Sequence, residues 1–204
     1  MITTIIFDAG GVLTDIKTWE ELGSILSKKY HVNKPKTIQL LRTTWRKARV
    51  NKISSKLFWT TISDYLSRET HLLRQEITTH HKMRPHMLQL ITALKRHYTT
   101  GLLSNHIEDW LEETIANHHL EKYFDAIVTS YGTRAAKPSK AIYRALLRKM
   151  RKKPEECIFI DDQKENVIAA KKLGIHGIHY RNFNQFKKEL AAYGIVSVPR
   201  RTTR

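Results

Sequence analysis

The sequence of 204 residues has little cysteine, proline or glycine: it contains one cysteine, five prolines and eight glycines. A single cysteine cannot form a disulfide within the chain. The absence of internal disulfides is typical of proteins from a reducing compartment. Cys157 lies inside an apolar run, so we expect it in the hydrophobic core rather than as a reactive nucleophile. The cysteine content therefore indicates a cytoplasmic protein.

Long apolar segments are also missing from the sequence. No run approaches the roughly 20 residues that a membrane-spanning helix needs, and charged residues begin soon after Leu13, where a leader peptide would be apolar. We find no internal repeat and no low-complexity segment. With 41% hydrophobic residues the composition is that of a globular chain, long enough for one domain with an insertion. The sequence therefore predicts no membrane partner.

Acidic residues are scarce: 19 acidic side chains stand against 36 basic ones, a formal net charge of +17. Such a charge attracts anions, although a solvated cationic surface is the plainer interpretation. The basic residues are spread along the chain, and only Arg200, Arg201 and Arg204 resemble a basic tail. Because no nucleic-acid-binding motif accompanies them, nucleic acid is not predicted as a partner, but the charge leaves that alternative open.

Short apolar runs alternate with helical patterns through most of the chain. Such alternation is typical of a doubly wound parallel α/β sheet, whose strands are buried on both faces. The predicted strands cover residues 5–7, 100–103, 126–128, 157–160 and 177–180. We therefore predict the α/β class for residues 1–14 and 84–204.

Residues 15–83 show helical periodicity and no strand pattern. A capping box formed by Thr18 and Glu21 starts the first predicted helix, and Ser54 caps the third. Between them, Asn51 lies in a predicted tight turn, and an asparagine there is able to take a left-handed conformation. We therefore predict that residues 15–83 form a small helical bundle inserted into the α/β fold.

Polar side chains follow three of the predicted strands. Asp8 ends the first, Ser104 and Asn105 follow the second, and Asp161 and Asp162 follow the fourth. Because the carboxyl ends of parallel strands meet at one edge of a sheet, we expect these side chains to lie together. A lysine, Lys137, lies in the loop after another strand. Carboxylates, a hydroxyl and a lysine favour a metal-assisted phosphate site, although each residue alone could be a helix cap or a surface residue.

These residues resemble the motifs of the haloacid dehalogenase-like (HAD) superfamily, and they occur in the family order. The inserted helices resemble the C1-type cap of that superfamily. Trp45, residues 51–54 and Phe58 resemble a branch that contains sugar-phosphate phosphatases and the N-terminal phosphatase domain of soluble epoxide hydrolases, which usually has glycine where Asn51 stands. The four motifs are residues 7–12, residues 103–105, Lys137-Pro138, and Asp161-Asp162 with Asn166 and Gly174.

The resemblance implies a Mg²⁺-dependent phosphatase that acts on small phosphorylated metabolites. Asp8 would be the nucleophile and would form an aspartyl-phosphate. Mg²⁺ would be held by Asp8, the Gly10 backbone carbonyl and Asp162, while Asp161 would support this metal shell.

The resemblance also implies how the phosphate is held. Ser104 and the Asn105 amide would bind the phosphoryl oxygens, and Lys137 would offset negative charge on Asp8 and on the phosphoryl group. The branch further suggests a polyhydroxyl or similarly small substrate. Four cap side chains could contact it from one helix, namely Arg42, Trp45, Arg46 and Arg49.

Gly10 departs from the usual pattern of the superfamily. Most of its phosphatases have at this position an aspartate that protonates the leaving group. The departure keeps two other functions open. A dehalogenase would use Asp8 on carbon without a metal, but it has no need of the Asp161-Asp162 pair. A non-catalytic protein that binds a polyanion or a partner would fit Gly10 and the positive charge, but not the retained Asp8 and Lys137.

Overall fold

The computed structural model describes residues 1–15, 18–79 and 82–195. The basic tail predicted from Arg200, Arg201 and Arg204 lies outside the described residues. Five parallel strands form the main sheet in the order β5-β4-β1-β6-β7, and β2 pairs with β3 in a separate antiparallel ladder. The strands are β1 (Thr4–Phe7), β2 (Thr14–Asp15), β3 (Lys82–Met83), β4 (Thr99–Ser104), β5 (Ala126–Thr129), β6 (Cys157–Asp161) and β7 (His176–His179).

Helices surround this sheet and fill the segment between β2 and β3. Among the described residues, no helix is both long and apolar enough to cross a lipid bilayer. The helices are α1 (Trp19–Lys29), α2 (Lys34–Ala48), α3 (Ser55–Tyr65), α4 (Thr70–Thr78), α5 (Pro85–Leu94), α6 (Glu108–His118), α7 (Ser130–Thr133), α8 (Lys140–Met150), α9 (Lys164–Lys171) and α10 (Phe183–Ala192).

The sheet is buried on both faces, which confirms the predicted doubly wound fold. Successive side chains of β1 point to opposite faces, as they must in a strand. Ile5 and Phe7 belong to the core cluster that includes residues of α5 and α10. Ile6 belongs to a second cluster, with residues of α8 and α9. The result is a three-layer arrangement in which β1 is the central strand.

Cys157 lies in the second of these clusters and is fully buried. Burial raises the pKa of its thiol to about 11, and Sγ donates a hydrogen bond to the Lys153 carbonyl at 3.3 Å. The prediction that this cysteine is a core residue is confirmed.

The helical segment α1–α4 begins and turns where the sequence indicates. Thr18 and Glu21 form the predicted capping box. The Ser54 hydroxyl accepts a hydrogen bond from the Leu57 amide at 3.1 Å, which caps α3. Asn51 has φ 54°, the left-handed conformation that the tight turn requires. Local side-chain chemistry therefore determines these boundaries.

The expectation that residues 15–83 contain no strand is wrong at both ends. Thr14 and Asp15 pair in antiparallel fashion with Met83 and Lys82, so that β2 and β3 join the helical segment to the sheet domain. Each strand has two residues, which is too short to produce the alternating pattern by which strands are recognised in a sequence.

The start of α6 anchors the helical segment to the sheet domain. Ile107 and Trp110 pack in the hydrophobic cluster of α1–α4. The indole of Trp59 donates to Asp109 at 3.1 Å. Arg74 of α4 lies 3.0 Å from the same carboxylate and 2.6 Å from Glu113. This junction (Ile107, Asp109, Trp110 and Glu113 against α3 and α4) follows directly after Ser104 and Asn105.

Candidate active site

The structure brings together the polar residues predicted at the strand ends. Asp8 follows β1, Ser104 ends β4 and Asp161 ends β6, and these three strands are neighbours in the sheet. The chain leaves β1 on one side for β4 and returns on the other side for β6, which makes β1 the topological switch point of the sheet. Ligands of open α/β sheets bind at this place.

Lys137 lies between two of the carboxylates. Its Nζ is 2.7 Å from Asp8 Oδ1 and 2.7 Å from Asp161 Oδ2, and its side chain is 1% exposed. Burial lowers the pKa of Lys137, but the charges of Asp161 and Asp8 outweigh that effect and raise the pKa above its ordinary value. Lys137 is therefore a permanently charged cation at the floor of the site.

Asn105 fixes the position of Lys137. The Asn105 side chain donates to the Lys137 carbonyl at 3.0 Å and accepts from the Lys137 amide at 2.8 Å. This reciprocal pair joins the loop after β4 to the loop that precedes α8. The sequence placed both residues in the site but gave no sign that one side chain holds the backbone of the other.

Asp161 is fully buried and is bound by protein groups on both oxygens. Its Oδ1 accepts from the Gln163 amide at 2.8 Å, and the Asn166 side chain donates to both oxygens at 3.1 Å. Lys137 donates to Oδ2 at 2.7 Å. These contacts hold the Asp161 carboxylate rigidly beside the other two acidic side chains.

Asp162 differs, because its Oδ1 is buried and receives no hydrogen bond from the described residues. Its backbone carbonyl lies 2.9 Å from Nε2 of His179. Burial and the neighbouring Asp161 carboxylate raise the pKa of Asp162 to about 6. Burial likewise raises the pKa of Asp8 well above its usual value, and Asp161 raises it further against the effect of Lys137.

The donor set fits a hard divalent cation such as Mg²⁺. Ligand atoms of Asp8, Asp161 and Asp162 all lie within 4.8 Å of one another. These three carboxylates and the Lys137 ammonium carry a formal charge of −2 when all are ionised. A divalent cation would bring that sum to zero, and oxygen donors are the ligands that Mg²⁺ prefers. Burial, and secondly the charge of Asp161, raise the pKa values of Asp8 and Asp162.

Two glycines shape the turn after Asp8, and they differ in backbone conformation. Gly11 has φ +74°, and a Cβ at this position would lie 2.2 Å from Asp162 Oδ2. Among the described glycines, positive φ occurs at Gly11, Gly174 and Gly194, so Gly10 has a backbone that other residues can adopt. Only a glycine at position 11 allows the turn to approach Asp162 this closely.

Arg84 holds the far side of the same turn, a role that sequence reasoning missed. Its Nη1 donates to the Gly11 carbonyl at 2.6 Å, and its Nε donates to Asp15 at 2.8 Å. Its guanidinium also lies 5.5 Å from the centre of the Tyr180 ring. The sequence marked Arg84 only as the boundary before a proline, because its partners are about 70 residues earlier in the chain.

Ser104 is fully buried, and its hydroxyl has no hydrogen-bond partner among the described residues. An unpaired buried hydroxyl is costly, so such groups are rare away from functional sites. This hydroxyl belongs to the strand next to that of Asp8.

A cavity of about 770 Å³ opens at this edge of the sheet. Ser104 and Asp161 are not among the described residues that line it; both lie fully buried beneath its surface. Asp8, Asn105, Lys137 and Asp162 line its floor, and the helical segment contributes to its wall. Of the four side chains of the helical segment singled out in the sequence, Trp45 lines the cavity. The three arginines do not: Arg42 pairs with Glu20, Arg46 is exposed, and Arg49 stacks on Trp45.

Comparison with known proteins agrees with this geometry. Residues 2–174 match the haloacid dehalogenase-like hydrolase family. D-ribitol-5-phosphate phosphatase of Bacteroides thetaiotaomicron is 24% identical, over 93% of this chain and 97% of its own length. Bifunctional epoxide hydrolase 2 of Rattus norvegicus is 30% identical over 51% of this chain, and the match covers 20% of that protein.

A solved structure shares the fold. It is a mutant of a HAD family enzyme from Bacteroides thetaiotaomicron, in complex with magnesium and inorganic phosphate. It superposes with a TM-score of 0.77 at 21% identity, and the match covers 89% of this chain and 95% of that one. Together with the family match, this likeness confirms the resemblance inferred from the four sequence motifs.

Proposed function

Because this chain belongs to the haloacid dehalogenase-like hydrolase family, we propose that it is a Mg²⁺-dependent phosphatase of small phosphorylated metabolites. The observation that carries the proposal is the buried cluster of Asp8, Asp161 and Asp162, with Lys137 bonded to two of the three carboxylates. The names of relatives support it, since one is a D-ribitol-5-phosphate phosphatase and another a phosphorylated carbohydrates phosphatase of Thermotoga maritima.

Asp8 is the nucleophile of the proposed reaction. Its carboxylate attacks phosphorus, the bond from phosphorus to the ester oxygen breaks, and the departing oxygen takes a proton from water to give the alcohol. Water then hydrolyses the aspartyl-phosphate, which releases orthophosphate and restores the carboxylate. Asp8, the Gly10 carbonyl and Asp162 would hold Mg²⁺, which supplies charge neutralisation for the phosphoryl oxygens. Asp161 keeps its neighbours in place through the hydrogen bonds described above.

Ser104, Asn105 and Lys137 are assigned to the phosphoryl group. The unpaired Ser104 hydroxyl can donate to a phosphoryl oxygen, and the Asn105 backbone amide is assigned the same task. Lys137 supplies a fixed positive charge, already desolvated, close to the attacking carboxylate. Preorganised charge of this kind stabilises a transition state without any rearrangement of solvent.

We further propose that residues 15–83 act as a cap and that residues 1–14 and 84–204 form the catalytic domain. In support, side chains of α1, α2 and α4 line the cavity above Asp8, including Trp19, Trp45 and Ile77. A cap of this kind separates the site from bulk solvent while the substrate is bound, and it contacts the part of the substrate that is not phosphate.

Removal of the metal tests this function. We expect the protein to release phosphate from an aryl phosphate, and we expect excess chelator to abolish that release because three carboxylates remain uncompensated. Addition of Mg²⁺ beyond the chelator should restore the rate. Undiminished turnover in chelator, or halide release from a 2-haloacid, would favour the dehalogenase alternative. Absence of any turnover with Mg²⁺ would favour a non-catalytic function.

The glycine at position 10 predicts that the rate of phosphate release depends strongly on the leaving group. Since no carboxylate stands at this position to protonate the departing oxygen, esters of acidic alcohols should react faster than simple alkyl esters, by about 10²-fold or more. Gly10→Asp should restore an acid and accelerate alkyl esters most, because the backbone of Gly10 suits other residues. The measurement is log kcat against leaving-group pKa for both proteins, with Mg²⁺ affinity determined in parallel. A flat line for the wild type would contradict this account.

A further inference from the structure

We infer that the phosphate ester bound in this cavity carries an aromatic ring. The inference rests on the proposed phosphatase function and narrows it to a substrate class. It differs from the polyhydroxyl substrate that the branch resemblance suggests, and the reason lies in the cavity wall.

Three tryptophans line the cavity from two sides. Trp19 and Trp45 come from α1 and α2 of the helical segment, and Trp110 comes from α6 of the sheet domain. Trp19 and Trp45 are half-buried, and Trp110 is 4% exposed. More of the cavity wall is apolar than polar. Aromatic rings bind planar rings by stacking or edge-to-face contact, and this adds to the free energy of apolar burial.

These rings are already fixed by their neighbours. The Trp45 ring lies 5.4 Å from that of Trp19, and the Arg49 guanidinium lies 4.5 Å from its centre. The Trp110 ring contacts Trp59 at 5.5 Å and His106 at 5.0 Å. Because ordered side chains lose little entropy when a ligand binds, such walls favour tight contact with a rigid planar group.

Three polar side chains of the wall already have partners within the protein, while Asn117 and Gln163 line it as well. Glu113 pairs with Arg74, and Arg84 is bonded to Asp15 and to the Gly11 carbonyl. His106 has its Nδ1 3.1 Å from the Ile107 carbonyl, and burial lowers the pKa of its imidazole to about 4. A polyhydroxyl chain needs several available partners, whereas an aromatic ring needs flat apolar surface.

The missing acid at Gly10 agrees with this substrate class. An aromatic ring bonded directly to the ester oxygen makes that oxygen acidic, so that it leaves without a proton from the protein. An aryl phosphate would therefore have a ring that fits the apolar wall of the cavity and an ester oxygen that can leave without an acid at Gly10. The ring determines binding, and the acidity of the ester oxygen determines the rate.

The experiment compares benzyl phosphate with cyclohexylmethyl phosphate. Both are esters of primary alcohols, so the chemistry is matched while the ring is aromatic in one of them. Because we expect slow turnover of such esters from the missing acid at Gly10, KM should approximate the dissociation constant. We expect KM for benzyl phosphate to be about five- to tenfold lower, with similar kcat.

Variants test whether the difference in KM arises from contact with Trp45. Trp45→Ala should remove most of the KM difference, while Trp45→Phe should retain part of it because a ring remains. Leu57→Ala changes an exposed apolar residue of the same helical segment and should leave the difference unchanged. Thermal melting of each variant separates lost binding from lost folding, and Trp45→Phe serves if the alanine variant does not fold.

Equal KM for the two esters in the wild type would overturn the inference and leave the phosphatase function intact. A difference that survives Trp45→Ala would overturn it as well. Failure to release phosphate from either ester, or from phenyl phosphate, in the presence of Mg²⁺ would instead contradict the proposed function itself.

Discussion

Asp8→Asn should abolish turnover, by about 10⁴-fold or more, while the protein keeps its fold. An amide cannot attack phosphorus, and it is a poor ligand for a divalent cation. Stability of the metal-free protein should not fall. Burial and Asp161 raise the pKa of Asp8, so ionising this carboxyl at neutral pH costs folding free energy, and the neutral amide avoids that cost. Lys137 keeps its contact with Asp161 at 2.7 Å.

Steady-state phosphate release measures the loss of turnover, and thermal melting measures the stability of the variant. Fluoroberyllate, an acyl-phosphate mimic, should bind the wild type in the presence of Mg²⁺ and fail to bind the variant. Asp64→Asn is the matched control, because Asp64 is an exposed carboxylate of α3. It should leave both rate and stability unchanged. A variant at position 8 with near wild-type turnover would show that another group attacks phosphorus.

Lys137→Met should cost both activity and stability. Methionine fills a similar volume but leaves Asp8 and Asp161 buried without their cation, a change that typically destabilises by about 3–5 kcal/mol. Turnover should fall as well, because no other group bonded to Asp8 in the described structure carries positive charge. Lys140→Met, at an exposed position at the start of α8, should change stability by less than about 0.5 kcal/mol.

The loss of stability in Lys137→Met should depend on pH. Without the lysine, which lowers the pKa of Asp8, the pKa of Asp8 in the folded protein rises further above that of the unfolded chain. Such a group stabilises the folded state when protonated and loses that contribution as pH rises through the folded pKa. The difference in unfolding free energy between wild type and variant should therefore grow between pH 5 and pH 8. A difference independent of pH would mean that packing, and not charge, dominates at this position.

The sequence predicts the sheet and the floor of the site well, for a physical reason. Central parallel strands are apolar on both faces, so they appear in the sequence as short apolar runs followed by polar residues. Such runs occur at residues 5–7, 100–103 and 157–160. Once the strands are parallel, their carboxyl ends must meet. Asp8 and Asp161 therefore come together, and both contact Lys137.

The remaining contacts of the site are not visible in the sequence, because they depend on how distant loops pack. Asn105 and Lys137 exchange two hydrogen bonds across 32 residues, and Arg84 reaches the Gly11 carbonyl across 73 residues. The pairing of β2 with β3 joins residues at both ends of the helical segment. None of these contacts produces a periodic pattern, so only the folded chain identifies them.

The junction at the start of α6 limits how far the helical segment α1–α4 can be exchanged as a unit. An exchange of α1–α4 between related chains would treat this segment as a separable unit joined by two linkers. Here Ile107 and Trp110 complete the hydrophobic cluster of the helical segment, and Asp109 is bonded to Trp59 and Arg74. Exchange of α1–α4 alone would leave Trp110 without its apolar neighbours, directly after the loop that follows β4. A functional exchange should therefore carry the first turn of α6 together with the helices.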